Sequence, residues 1–209
     1  MKFIIRLFSA LIITFSYIEL AYSKTTKIII FGDSLIAGYG LVVEDNFVNQ
    51  LKLKTIENKI NDVTLFNSGV SGETSTGLLN RYKWVLEDNY DGVIILIGAN
   101  DALRGIDPSL TSQNIEKILS YLKEKQIPTM LIGMKAPNNL GEIYVNEFNT
   151  IYPKLSKKYN TAYYPFFLKD VALNPSLNQR DMIHPNKKGV KIIVNNFFPY
   201  FFEFYESLK

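Results

Sequence analysis

Lys27-Ile28-Ile29-Ile30-Phe31-Gly32-Asp33-Ser34-Leu35 is the stretch that decides the fold of this chain. Its apolar run shows no polar alternation and stops at a glycine. A strand covered on both faces needs that pattern, because neither side of it meets water. Val93-Ile94-Ile95-Leu96-Ile97, closed by Gly98, repeats it more strongly. Working outward, the sequence predicts strands at 63–66, 129–132 and 161–164. Helices are predicted at 47–59, 78–87, 115–125 and 144–159, and from 190 onward. The first helix has apolar residues at Phe47, Leu51 and Ile56, with Asp45 or Asn46 placed to cap it. Pro153 should kink the 144–159 helix or end its first half. Strand and helix in alternation imply right-handed crossovers and a parallel sheet with helices on both faces. The expected fold is therefore α/β, a three-layer α/β/α sandwich around a five-stranded parallel sheet. Catalytic residues in such sheets sit just beyond the carboxyl ends of the strands.

The bulk properties narrow the partners. A chain of 209 residues, 47% hydrophobic and 21% charged, fits one globular domain. The absence of cysteine excludes disulfides, thiolate metal sites, a cysteine nucleophile and a lipid-bearing cysteine. With one histidine as well, a zinc site would have to rest on carboxylates, so no metal and no other cofactor is expected. The formal charge is +3 and the lysines are scattered, which argues against a nucleic-acid partner. Lys2 and Arg6 precede an apolar stretch at 7–18, followed by Ala21-Tyr22-Ser23. That is the three-part layout of a secretory signal peptide. The stretch is shorter than the roughly 20 residues that span a bilayer. Residues 1–23 are read as a signal peptide and 24–209 as a single domain. The protein is expected to be exported, and periplasmic where the source has an outer membrane.

Four segments carry chemistry. Gly32-Asp33-Ser34-Leu35 follows the first strand, Asn67-Ser68-Gly69-Val70-Ser71-Gly72 the second, and Gly98-Ala99-Asn100-Asp101 the third. Asp181-Met182-Ile183-His184-Pro185 stands before the last helix. A serine nucleophile needs a base that titrates near neutrality, and His184 is the only histidine. Asp181, three residues earlier, can accept the other ring N–H and hold the tautomer. Each segment alone has a bland reading: a turn, strand punctuation, or a helix start with Pro185 in its first turn. Their joint occurrence, in order and mostly at strand ends, favours chemistry. Ile36 stands where a Gly-x-Ser-x-Gly elbow would have its second glycine, which disfavours an α/β-hydrolase.

These blocks resemble those of the SGNH (GDSL) hydrolase superfamily over nearly the whole chain after the leader. Ser71-Gly72-Glu73-Thr74-Ser75, Leu103-Arg104-Gly105 and Ile151-Tyr152-Pro153-Lys154-Leu155 further resemble its periplasmic acyl-CoA thioesterase I, lysophospholipase and arylesterase group. The resemblance implies a flavodoxin-like sandwich and a serine hydrolase of carboxylic esters and thioesters. It implies Ser34 as nucleophile, His184 as general base and then acid, and Asp181 as the orienting carboxylate. The backbone N–H groups of Ser34 and Gly72 and the Asn100 amide would form the oxyanion hole, with Asp33 and Asp101 supporting the loops. A small acyl ester, thioester or lysophospholipid is the expected substrate, and the protein a monomer. Leu103, Ile106 and Pro137 are candidates for an acyl groove, with core packing as their bland reading. The same triad also suits a carbohydrate O-acetyl esterase, and the scaffold alone a non-catalytic lipid- or glycan-binding module. From Phe197 to Tyr205 every residue but Pro199 and Glu203 is aromatic. That segment reads as a helix packed on the sheet or, more sharply, as a surface in transient contact with lipid.

Overall fold

The isoleucines at 28–30 lie at the centre of strand β1 (Thr26–Gly32), buried with Phe31, in a computed structural model that describes residues 24–209. The expected signal peptide lies outside the described residues. β1 pairs in parallel with β2 (Val63–Gly69) on one side and β3 (Gly92–Leu96) on the other, Ile29 opposite Phe66 and Val93. β4 (Thr129–Ile132) and β5 (Ala162–Tyr164) complete a five-stranded parallel sheet in the order β2-β1-β3-β4-β5. This is the flavodoxin-like order, whose switch point falls between β1 and β3. β3 and β4 are buried at every position. β2, at an edge, is only partly covered.

The helices divide by face. α2 (Phe47–Glu57) and α8 (Lys187–Glu206) pack together, as do α3 (Ser75–Val85), α5 (Pro108–Glu124) and α7 (Ile151–Tyr159). α1 (Ser34–Ala37), α4 (Ala99–Leu103) and α6 (Glu142–Asn149) are short. Several boundaries differ from expectation, each for a local reason. β2 continues through Gly69 because Asn67 and Ser68 keep the ladder opposite Ile30 and Phe31. α3 begins at Ser75 because the Thr74 hydroxyl accepts the Gly77 N–H. α5 begins at Pro108, seven residues before the apolar periodicity, because the Asp107 side chain caps it and proline fits a first turn. The 144–159 helix breaks at Thr150 rather than at Pro153, which sits in the first turn of α7 where its missing N–H costs nothing. Asn46, not Asp45, caps α2. Asn186 caps α8 through the N–H groups of Lys188 and Gly189, leaving Pro185 outside that helix. Among the described residues no helix is long and apolar enough to cross a membrane.

Candidate active site

Strand β1 ends where its backbone must turn sharply. A Cβ at Gly32 would stand 2.3 Å from Ile36 Cγ1 and 2.9 Å from the Leu96 carbonyl oxygen, so only glycine lets α1 fold back so tightly. Asp33 caps α1, its Oδ1 accepting the Leu35 N–H at 2.9 Å. Ser34 is thereby placed at the start of a helix, at the carboxyl end of the central strand. Its Oγ lies 2.8 Å from His184 Nε2, and His184 Nδ1 lies 2.7 Å from Asp181 Oδ2. The other Asp181 oxygen accepts the backbone N–H groups of Ile183 (2.9 Å) and His184 (3.0 Å). Partial burial works against Asp181 ionising, but the hydrogen bonds from His184 and Ile183 outweigh it and bring the carboxyl down to about 2. Asp181 is therefore an anion at neutral pH. It favours the tautomer with the proton on Nδ1, which leaves the Nε2 lone pair facing the serine hydroxyl.

The loop carrying His184 is fastened to the segment after the serine. Gln179 donates from Nε2 to the carbonyls of Tyr39 (2.8 Å) and Pro185 (3.0 Å), and from its backbone N–H to the carbonyl of His184 (2.7 Å). The Tyr39 and His184 rings sit 4.6 Å apart at a tilt of 39°. Neither Tyr39 nor Gln179 was legible as part of the site, because one aromatic and one amide carry no pattern. Tyr39, Leu41, Phe47, Phe167, Val190 and Ile193 line a narrow apolar crevice beside Ser34 and His184.

Two further segments reach this edge of the sheet. Gly98, at φ 113°, lets the chain turn from β3 into α4, whose second residue is Asn100. The Asn100 amide faces Asp33 Oδ2 at 3.4 Å. Asp33 has no exposed surface, and burial pushes its carboxyl up to about 6 against the pull of the Leu35 N–H and His184. Gly72 has φ 78°, and its carbonyl accepts Arg104 Nη2 at 2.8 Å. The next residue, Glu73, takes both Nε and Nη2 of Arg81 at 2.6 Å, while Arg81 also reaches the Ser68 hydroxyl and carbonyl. The structure thus joins Ser34, His184 and Asp181 directly and links Asn100 to them through Asp33, while Arg104 ties the Gly72 turn to the end of α4. Leu103 is exposed, and Ile106 and Pro137 are half-buried. None of the three lines the crevice beside the serine. Nor does any of them line the more open groove bounded by Gly105, Asp107, Pro108, Leu140, Ile143 and Tyr144, although Ile106 stands in the chain between two of its lining residues.

A strand-end serine bonded to an imidazole, itself bonded to a carboxylate, on a sheet of this order defines an acyl-hydrolase scaffold. Residues 30–192 match the GDSL-like lipase/acylhydrolase family, and the chain belongs to that family. It is a carboxylic-ester hydrolase. It is 33% identical to an arylesterase of Vibrio mimicus over 88% of this chain and 92% of that one. It is 34% identical to thioesterase 1/protease 1/lysophospholipase L1 of Escherichia coli (strain K12) over 80% of this chain and 79% of the other. The crystal structure of a psychrotrophic esterase, EstA, from Pseudoalteromonas sp., inhibited by monoethylphosphonate, superposes with a TM-score of 0.81 at 32% identity, covering 87% of this chain and 99% of that one.

Proposed function

We propose that this protein is an exported serine hydrolase that cleaves acyl esters and thioesters through an acyl-enzyme. The observation that carries the reading is the unbroken chain Asp181 Oδ2–His184–Ser34 Oγ, with both contacts under 3 Å. Ser34 Oγ attacks the substrate carbonyl carbon and passes its proton to His184 Nε2. The C–O or C–S bond breaks as His184 returns that proton to the departing alcohol or thiol. Water then attacks the ester on Ser34, again losing its proton to His184, and the acid leaves with Oγ reprotonated. Asp181, anionic throughout, lowers the energy of the transient imidazolium. Carbonyl charge is taken up by the Ser34 and Gly72 N–H groups and the Asn100 amide, each donor contributing about 10²–10³ in rate. The relatives' names, arylesterase and thioesterase/lysophospholipase, support this substrate class. Leu103, Ile106 and Pro137 are the proposed contacts of the acyl chain, and the monomer is the proposed working unit.

The test is hydrolysis of p-nitrophenyl esters and acyl-CoAs from acetyl to palmitoyl, by the protein and by Ser34→Ala. Activity that peaks at medium or long chains and falls at least about 10⁴-fold in the variant is expected. A peak at acetyl would move the assignment to a carbohydrate O-acetyl esterase. Equal rates for the two proteins would refute the triad.

A further inference from the structure

Asp101 is a buried acid that the acyl transfer does not use. Asp101 has no exposed surface and no basic group within ion-pair distance among the described residues. Its Oδ2 accepts the Ser75 N–H at 2.8 Å, and its Oδ1 accepts the hydroxyls of Ser75 (2.5 Å) and Thr111 (3.1 Å). Ser75 Oγ accepts in turn from Asn114 Nδ2 at 3.0 Å, and the same amide reaches Thr76 Oγ1 at 2.9 Å. Ser75 and Thr111 are as fully buried as the acid, and Asn114 nearly so. Such a cluster is a poor way to gain stability, since well-packed apolar side chains of the same volume do as well or better.

Its place in the chain suggests another use. Asp101 directly follows Asn100, and Ser75 comes three residues after Gly72. Two links join the Gly72 segment directly to the Asn100 segment, Arg104–Gly72 and Asp101–Ser75, and Asn100 itself also meets Asp33. The Arg104 contact to the Gly72 carbonyl is open to water, and the Asn100–Asp33 contact is long at 3.4 Å. The Asp101–Ser75 link is short, double and dry. We propose that Asp101 and Ser75 are positioning residues: they lock the start of α3 to the start of α4 and so fix the separation of the oxyanion donors Gly72 N–H and Asn100 Nδ2. The proposal rests on the oxyanion reading given above. A donor displaced by about 1 Å can cost on the order of 10² in rate, because the hydrogen bonds must match the developing oxyanion rather than the ground-state carbonyl.

The experiment compares kcat, KM and thermal midpoint for Asp101→Asn, Ser75→Ala, Asn100→Ala, Thr111→Val and the pair Ser75→Ala/Asn100→Ala. Assays run well below every midpoint. Asp101→Asn and Ser75→Ala are expected to lower kcat about 10- to 100-fold with KM within about threefold. Thr111→Val, which removes a bond to the same acid without cutting the α3–α4 link, should lower the midpoint and keep kcat within about twofold. The pair should lose no more than about threefold beyond Asn100→Ala alone, since the link acts through the donors it places. If Asp101→Asn does not fold, Ser75→Ala decides, because it keeps the backbone N–H to the acid. Folded Ser75→Ala with wild-type kcat, or strictly additive losses in the pair, overturns the proposal. Wild-type kcat in Asn100→Ala would show instead that the oxyanion reading itself is wrong, and removes the proposal with it.

Discussion

Asp33 accepts the Leu35 N–H on one oxygen and faces the Asn100 amide with the other, at no exposed surface. The cost of that position is read in its protonation. Burial lifts it from 3.8 to about 6, in spite of the Leu35 hydrogen bond and the proximity of His184. Between those values the folded protein holds a proton that the unfolded chain has released. The contribution of this group to stability therefore declines as the pH rises through the window, by up to about 3 kcal/mol. Asp33→Asn keeps the acceptor for Leu35 and abolishes the titration. Its stability relative to wild type, from urea midpoints at pH 4, 5, 6 and 7, is expected to rise by about 1–3 kcal/mol across the series. A difference that stays flat with pH would show that Asp33 ionises as an ordinary carboxyl in the fold. The resemblance implies Asp33 as a loop support, and its capping contact is two residues away. The contact to Asn100 spans 67 residues, and no local spacing encodes it.

Helices and strands were legible wherever their signal was apolar periodicity, and their ends were missed where polar caps set them. Asp107 and Thr74 begin α5 and α3 several residues before the first periodic apolar position. The loop at 174–186 shows the limit most clearly. Asp181 and His184 were readable as a pair because their spacing of three is local. Nothing in the pattern says what holds the loop. It has one isolated antiparallel bridge, Asn178 to Pro185, a few turn hydrogen bonds and the Asp181 carboxylate contacts, and its remaining ties are side-chain amides. Asn178 bonds the carbonyls of Val171 and Asn174, Asn186 those of Ser176 and Asn178, and Gln179 those of Tyr39 and Pro185. Of these three amides only Gln179 crosses to the segment that follows the serine, where the His184 ring also meets Tyr39. Gln179→Ala is expected to lower kcat/KM about tenfold or more, while stability falls by only about 1–2 kcal/mol, the usual worth of one or two hydrogen bonds. Gln179→Glu conserves shape but puts a carboxylate against two carbonyl oxygens, so it should do no better than alanine. Hydrogen exchange of residues 180–186 should accelerate in both variants. A Gln179→Glu enzyme with wild-type kcat/KM and unchanged exchange would show that the loop is held by other contacts.

At the scale of the molecule, the number of strands and their parallel sense followed from the alternation of elements, but their lateral order did not. Periodicity says that β1 is buried on both faces; it does not say that β1 lies between β2 and β3. That placement is what brings Ser34 and Asn100 to the same edge of the sheet, joined through Asp33. The aromatic terminus shows the same gap between pattern and place. Phe197, Phe201, Phe204 and Tyr205 are buried in α8, whereas Tyr200 and Phe202 are about 40% exposed. Phe197 meets Phe47 of α2 at 5.4 Å and Tyr164 of β5 at 5.3 Å, joining two layers of the sandwich. Even the exposed rings have partners, Tyr200 on Tyr164 and Phe202 on Phe198. The buried rings of the segment close the core on that face. Phe197→Ala should cost about 3–5 kcal/mol in a denaturant titration, the usual loss for a buried ring. Tyr200→Ser with Phe202→Ser should cost no more than about 1 kcal/mol and leave co-sedimentation with phosphatidylglycerol/phosphatidylcholine vesicles at the wild-type level. If wild type sediments with the vesicles and the double variant does not, the outer face of α8 is a lipid contact after all, and the two exposed rings are what it uses.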